Sequence, residues 1–541
     1  MDFGAIFYIT IGLIYFFGQA IGRYKLFEKA GKPGWAAFIP GYNHYIWLQL
    51  IGKPAWWVAL IFVPIASTLV IVAMKIDLAR AFGKHKLKEH AAALFLPFYF
   101  FPKLGFDEKV KYLGPADQQK TIPKKSGARE WGDAILFAGV SALIIRTFLM
   151  EAFMIPTSSM ERSLMAGDFL FVSKMHYGVR MPQIPMAVPF VHNKIKLGNF
   201  TMKSYLDFPQ LPYYRTPGFA KVQRNDVVVF NYPKHDIEAL PDGAGKVKPT
   251  SMKENYIKRC VGVPGDVLEV IGGQVYIDGE LGYQPENMQK EFKVLGKPGT
   301  QFVAQKRIGK GKDIQGNKTR FVEYTFPQRE ELGFRMLKAP IRAAFTAVGN
   351  YSENPNWYIK SLKNQEFILF MTDEVADIIR KNPNVSKVEE VNRIKGQREG
   401  GLYPALYRGV NARAFAEMFP WNVDYFGPLT IPSKGMTIDI TDAKNYALYQ
   451  RVITGYEKHD LERQESKGQV TVLLDGSPIT EYTFEMDYYW MMGDNRHNSQ
   501  DSRFWGFVPE DHIVGKPLFV FMSYESDFGV RLGRIGSKNV K

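Results

Sequence analysis

At 541 residues the chain is too long for one hydrophobic core and divides, at about 150 residues per domain, into three or four domains. Its single cysteine, Cys260, excludes an intramolecular disulfide framework and a CxxC zinc site, and it leaves the redox compartment open. A net charge of +15 raises the question of nucleic acid, which is decided by where the charge lies.

Through Glu130 there are 17 Lys and Arg against 8 Asp and Glu, whereas the remainder holds 52 against 46. The basic quarter also carries the longest apolar runs, so a membrane flank accounts for the charge and no nucleic-acid partner is expected. Residues 3 to 22, "FGAIFYITIGLIYFFGQAIG", carry no charge and match the roughly 20 apolar residues that a bilayer requires. They have neither a basic start nor a small-residue cleavage site, which makes them an anchor rather than a removable signal. A second run, "PAWWVALIFVPIASTLVIVAM" at 54 to 74, reads as another span with interfacial tryptophans. A third, "AAALFLPFYFFPKLGF" at 91 to 106, is short and holds two prolines, so spanning, re-entrant and surface placements all stay open. The fourth, "WGDAILFAGVSALIIRTFLMEAF" at 131 to 153, spans if Arg146 and Glu151 snorkel to the far interface.

Between Lys103 and Glu130 lie seven basic and four acidic residues. By the positive-inside rule this flank is cytoplasmic, and the chain after Phe153 emerges on the outer side. Beyond that point short β-rich runs are broken by glycine and proline. "VYIDGE" at 275 and "VLLDGS" at 472 carry the Asp-Gly hairpin signal. The stretches "TDEVADIIRK" and "TDAKNYALYQRVITGYE" read as helices within an otherwise mixed segment, 285–468, that interrupts a β domain. The organisation expected is therefore a polytopic α-helical membrane region at 1–106, a basic linker at 107–130 and an anchor at 131–153. A mainly β domain follows at 154–284 and 469–541, with a mixed α/β insertion at 285–468.

Four stretches of the β part stand out, "IPTSSMERSL", "RNDVVVFNYP", "NYIKRCVGVPGD" and "GDNRHNSQDSRFWGFVPEDHIVG". In this order, after an anchor, they resemble the type I signal peptidase (leader peptidase) family over residues 134–280 and 470–523. The early stretches "FEKAGKPGWAAFIPGYNHYIWL", "GKPAWWVALIFVPI" and "DLARAFGK" resemble a small polytopic membrane domain of unknown function, which implies embedding but no chemistry.

The chemistry can also be argued from the residues. A serine needs an adjacent base, and lysine serves only when its amine is neutral near working pH, a state that burial favours. If "NYIKRCVGV" is a strand, alternation puts Tyr256, Lys258 and Cys260 on one face and Ile257, Arg259 and Val261 on the other. The resemblance implies Ser159 as nucleophile and Lys258 as general base. It implies an oxyanion hole from the Ser159 N–H and the Thr157 hydroxyl.

Ser499 matches the serine that orients the lysine amine, and Asp501 and Arg503 match a supporting pair, on one face if extended. Asp494, Asn495 and Arg496 are expected to hold the loop, and Ser158 is given no chemistry. Phe153, Ile155, Met160, Leu164 and Ile257 match positions lining shallow pockets for small side chains, with plain core packing as the alternative for Leu164. Such pockets suit secretory preproteins whose signals end in Ala-x-Ala. Where many relatives carry proline between the Ser-Met pair and the following leucine, this chain has Glu161 and Arg162.

The expected function is signal-peptide removal from exported preproteins at the bacterial plasma membrane, with the catalytic domain extracytoplasmic. The expected partners are the bilayer and the translocation machinery, and neither metal nor organic cofactor is implied. Three rivals remain on sequence grounds: a Ser159–His497–Asp501 triad, a non-catalytic membrane scaffold of the same fold, and an autoprocessing regulator with Ser-Lys chemistry.

Overall fold

The structure is a computed structural model. It describes residues 3–538 except 63, 120–125, 186, 189–190, 192–193, 198–199, 207, 234–248, 298–304, 313–317, 326–341, 344–365, 382, 384, 407–409, 467–468 and 526–528. Parts of the expected linker and of the expected insertion thus lie outside the described residues. The chain forms two compact units, one of residues 1–151 and 173–219, the other of 152–172 and 220–541.

In the first unit the opening apolar run forms the helix Phe3–Lys29. It packs on Pro97–Phe106 through glycines: a Cβ at Gly22 would stand 2.5 Å from the Pro102 nitrogen, and one at Gly105 would stand 3.0 Å from the Gly22 carbonyl. Small residues let two helix backbones approach this closely. The second apolar run is not one helix. It gives a single turn, Trp57–Leu60, and then the helix Pro64–Ala81, which carries Lys75, Asp77 and Arg80. The third run breaks at Leu96 into Leu87–Phe95 and Pro97–Phe106, because proline has no N–H to continue the ladder and bars its predecessor from helical geometry.

Among the described residues, two helices are long and apolar enough to cross a membrane, Ile6–Lys29 and Gly127–Leu149. The second starts behind a Ser126 cap and gives way to strand at Met150. Arg146 and Glu151 pair with each other at 2.7 Å, and Lys174 adds a second 2.7 Å contact to Glu151.

The second unit is β-rich. Its main sheet uses β1 (Met150–Met154), β2 (Asp168–Ser173), β3 (Val227–Asn231), β4 (Asn255–Gly262), β5 (Tyr488–Met492), β6 (Val508–Pro509), β7 (Ile513–Glu525) and β8 (Gly529–Val530). The order is β1-β2-β7-β3-β4-β5-β6, with β8 on β7. The antiparallel register sets Val228 opposite Lys258 and Met492 opposite Arg259, so the second and third sequence motifs become neighbouring strands and the strand that leads into the fourth lies beside the third.

A second sheet runs Tyr425–Thr430, Val267–Ile271, Gln274–Ile277, Glu280–Leu281. The hairpin at Asp278 and Gly279 turns with φ of 55° and 82°, and that at Asp475 and Gly476 with 49° and 82°, the left-handed pair that a two-residue turn demands. Both expected helices of the middle segment form, Asp373–Arg380 and Ala443–Gly455. The latter packs with Trp490, Phe507 and Tyr403 in the larger aromatic core.

Candidate active site

The Ser159 motif is a turn between β1 and β2. Ile155 donates to the Asp168 carbonyl and Gly167 to the Ile155 carbonyl, both at 2.8 Å, which closes the loop. Inside it, Arg162 takes the proline-free position with a φ of 70°, a left-handed conformation proline cannot adopt. Buried Asp168 pins the base of the turn: it accepts from the Met165 N–H at 2.8 Å, Ser523 Oγ at 2.6 Å and Arg534 Nη2 at 2.6 Å. Ser523 and Arg534 lie more than 350 residues away in sequence, and no motif pointed to them.

Ser159 and Lys258 meet here. Lys258 Nζ lies 2.8 Å from Ser159 Oγ and donates to the Ile257 carbonyl at 2.9 Å, with 4% of Ser159 and 3% of Lys258 exposed. The Tyr256 ring lies beneath the amine, its centroid 5.5 Å from Nζ. Burial draws the Lys258 amine from its ordinary 10.5 down to about 8, against the opposing pull of Asp501 and Asp494. The Thr157 hydroxyl stands 3.4 Å from Ser159 Oγ. Among the described residues, the Ser159 N–H donates no hydrogen bond.

The final motif wraps around this pair. Asn495 donates its backbone N–H to the Ser159 carbonyl at 3.1 Å and its Nδ2 to the Ser158 carbonyl at 3.2 Å. Asn498 Nδ2 donates to Ser158 Oγ at 3.0 Å, so the residue denied any chemistry is the tether between the two motifs. Gly493 packs against both serines: a Cβ there would stand 2.3 Å from Ser499 Oγ and 2.6 Å from the Ser159 carbonyl. The close approach, not a turn, requires glycine at this point.

Ser499 Oγ donates to the Gln500 carbonyl at 3.4 Å, and among the described residues no hydrogen bond joins it to the Lys258 amine. Asp501 and Arg503 do not share one extended segment, because Arg503 is helical. Asp501 caps the short helix Ser502–Trp505 and folds back onto Arg503 in a two-point pair, Oδ1 to Nε at 2.9 Å and Oδ2 to Nη2 at 2.8 Å. Burial would raise the Asp501 carboxyl, but Arg503 holds it below its ordinary value.

Asp494 makes the equivalent pair with Arg259, at 2.8 and 2.7 Å, and takes Ser163 Oγ at 2.6 Å. Arg259 was expected on the face away from the lysine. Both faces of β4 are covered from Lys258 onward, so its guanidinium is as buried as the amine. Arg496 is buried beside them, with Nη1 3.9 Å from Met492 Sδ.

The five candidate pocket residues gather in one apolar cluster with Leu170, Val172, Val227, Val229, Val514 and Val520. Ile155, Met160 and Leu164 are buried, while Phe153 and Ile257 are half-buried and form its open edge.

His497 faces elsewhere. Its Nδ1 accepts from the Glu291 N–H at 3.0 Å, which places the ring proton on Nε2, 2.6 Å from Asp424 Oδ1. With both ring nitrogens engaged, it fastens the loop of the final motif to the middle segment, as does the Gln289–Asn495 bridge. His497→Ala is expected to cost about 1–3 kcal/mol of stability through the two orphaned partners while precursor cleavage persists. A folded His497→Ala protein without cleavage, beside an active Lys258→Ala protein, would transfer the base role to histidine.

Among the described residues no group of three or more His, Cys, Asp or Glu side chains could hold a metal ion.

Comparison with known proteins adds lineage to this geometry. Residues 35–115 match a family of unknown function (DUF5684). The family described as "Signal peptidase, peptidase S26" matches residues 128–322 and 430–522, more than half of the chain. A signal peptidase I of Buchnera aphidicola subsp. Schizaphis graminum is 24% identical over 399 residues, covering 73% of this chain and 76% of that protein. One from Buchnera aphidicola subsp. Acyrthosiphon pisum is 22% identical over 403 residues, covering 74% and 78%. A signal peptidase I of Rickettsia massiliae is 31% identical over 163 residues, 30% of this chain and 47% of that protein. The four motifs that the sheet draws together around Ser159 and Lys258 all fall within the matched residues, and the chain belongs to the signal peptidase S26 family.

Proposed function

We propose that the chain is a membrane-bound serine endopeptidase that removes signal peptides from exported preproteins. The observation that carries this reading is the 2.8 Å contact between a buried lysine amine and a serine hydroxyl. In its neutral form Lys258 takes the Ser159 proton as Oγ attacks the scissile carbonyl. The lysine then gives that proton to the departing amine, leaving an acyl-serine. Water, deprotonated by the same amine, frees the signal peptide and restores Ser159.

The unengaged Ser159 N–H and the Thr157 hydroxyl serve the developing oxyanion. Ser499 sits against Gly493, and Asp501 and Arg503 brace the loop that holds the amine in place. The edge formed by Phe153 and Ile257 admits small side chains, which suits Ala-x-Ala termini. The two long apolar helices anchor the protein in the bacterial plasma membrane, with the Ser-Lys centre on the extracytoplasmic side beside the translocation machinery.

The test is a secretory precursor incubated with the detergent-solubilised full chain beside Ser159→Ala and Lys258→Ala. Wild type is expected to cut after the final alanine of the signal, and neither variant to cut. A precursor left whole by all three proteins would instead favour a scaffold, and cleavage undiminished in Ser159→Ala would end the serine assignment.

A further inference from the structure

Among the described residues, Arg23 and Lys75 are buried cations of the N-terminal unit with no ion pair to a carboxylate. Arg23 is 6% exposed and Lys75 8%. Arg23 projects from the helix Phe3–Lys29 and donates Nε to the Gln19 carbonyl at 3.3 Å, with its guanidinium 5.3 Å above the Trp47 ring. Lys75 comes from Pro64–Ala81 and donates to the Tyr15 hydroxyl at 3.0 Å. Tyr15, Gln19 and Arg23 are spaced four apart and share one helix face, where Gln19 Nε2 reaches the Tyr15 carbonyl at 3.4 Å.

Several carboxylates of this unit are engaged elsewhere. Glu28 pairs with Lys25, Asp77 with Arg80 and Lys53, and Asp133 with His90, Arg129 and Arg80. Among the described residues no Asp or Glu forms an ion pair with Arg23 or Lys75. Trp47, the ring under the guanidinium, has its Nε1 buried with no hydrogen-bond partner. Buried polar hydrogens and buried cations are retained at high cost unless something pairs with them.

We propose that this face binds an anion of phosphate type. The site supplies donors of several kinds: a guanidinium with five N–H groups of which one is placed, an ammonium, and the indole N–H. Phosphate oxygens accept charge-assisted hydrogen bonds from donors of these kinds and bring negative charge to the buried cations, which a neutral acceptor cannot do. The phosphate belongs either to the phosphodiester of an anionic lipid or to a free anion. The proposal is independent of the Ser-Lys centre, since none of these residues belongs to it.

The test uses the full chain in phosphatidylcholine nanodiscs, in discs with part of that lipid replaced by phosphatidylglycerol, and in phosphatidylcholine discs with added inorganic phosphate. Native mass spectrometry reads the retained ligand and thermal unfolding reads protection. Wild type is expected to retain phosphatidylglycerol or to be protected by phosphate, and the arm that responds identifies the source. Arg23→Gln and Lys75→Gln are expected to weaken that response by about tenfold, the loss of one charge-assisted contact. Arg23→Lys should keep most of it. Trp47→Phe, which removes only the N–H, reports on the site in a chain that keeps its packing should the charge variants fail to fold. Wild type that responds to neither source, or a response unchanged in Arg23→Gln, Lys75→Gln and Trp47→Phe, overturns the proposal.

Discussion

Lys258→Met is expected to abolish precursor cleavage and at the same time to stabilise the protein at neutral pH. The folded amine titrates at about 8 and the unfolded one at its ordinary 10.5. Below pH 8 it is protonated in both states, so the folded chain carries the whole cost of a buried ammonium. Between the two values the unfolded chain binds more protons, so stability rises with pH. Above 10.5 the penalty is gone. Two and a half pH units correspond to about 3 kcal/mol, the upper bound on what methionine recovers at pH 7. Thermal unfolding of both proteins in detergent measures it: the gap should be largest near neutrality and close toward alkaline pH. A methionine variant less stable than wild type throughout would mean that the amine is not under desolvation stress.

The same shift shapes the activity of the wild type. Near pH 7 only about a tenth of the lysines are neutral, so kcat/KM should climb about tenfold per pH unit and level off above about 8. Ser159→Ala leaves the amine and removes the nucleophile, and its loss should be at least about 10⁴-fold at every pH, because residues acting as one unit are not additive. An acid limb lying near 6.5 instead would indicate an imidazole base.

How much of this was legible in advance depends on the range of the contacts. Asp-Gly pairs at 278 and 475 announced their hairpins because the turn needs two left-handed residues and nothing distant enters. The Ser159–Lys258 pairing was legible only through the resemblance, since 99 residues separate the partners and alternation alone says which face a lysine takes, not what it meets. The hydrophobic run at 54 misled, because mean apolarity does not register the helix break before Pro64, whereas the prolines of the run at 91 left its placement open and the helix does break at Leu96. Ser158 looked inert because its partners, Asn495 and Asn498, are more than 300 positions away. The clamp of Arg534 on Asp168 had no local signature at all, being an ion pair between a turn and the far end of the chain.

Asp494→Asn should be the most damaging change that leaves the dyad itself untouched. Asp494 has no exposed surface, and it satisfies the equally buried Arg259 at two points while taking the Ser163 hydroxyl on the same oxygen. Neutralising the carboxylate strands a guanidinium where water cannot reach it, a loss of about 3–5 kcal/mol. Removing both partners is a different experiment. Asp494→Leu with Arg259→Met removes the stranded guanidinium together with its partner, so the double variant should be clearly more stable than the sum of the two single changes predicts. The charge has a second reach, because Asp494 supports the protonated form of Lys258. Its loss should therefore move the acid limb of kcat/KM to lower pH while the folded fraction falls. The two readouts separate the roles: destabilisation with an unmoved limb would leave Asp494 a purely structural partner of Arg259, whereas a limb displaced downward ties the brace of the loop to the basicity of the amine it surrounds.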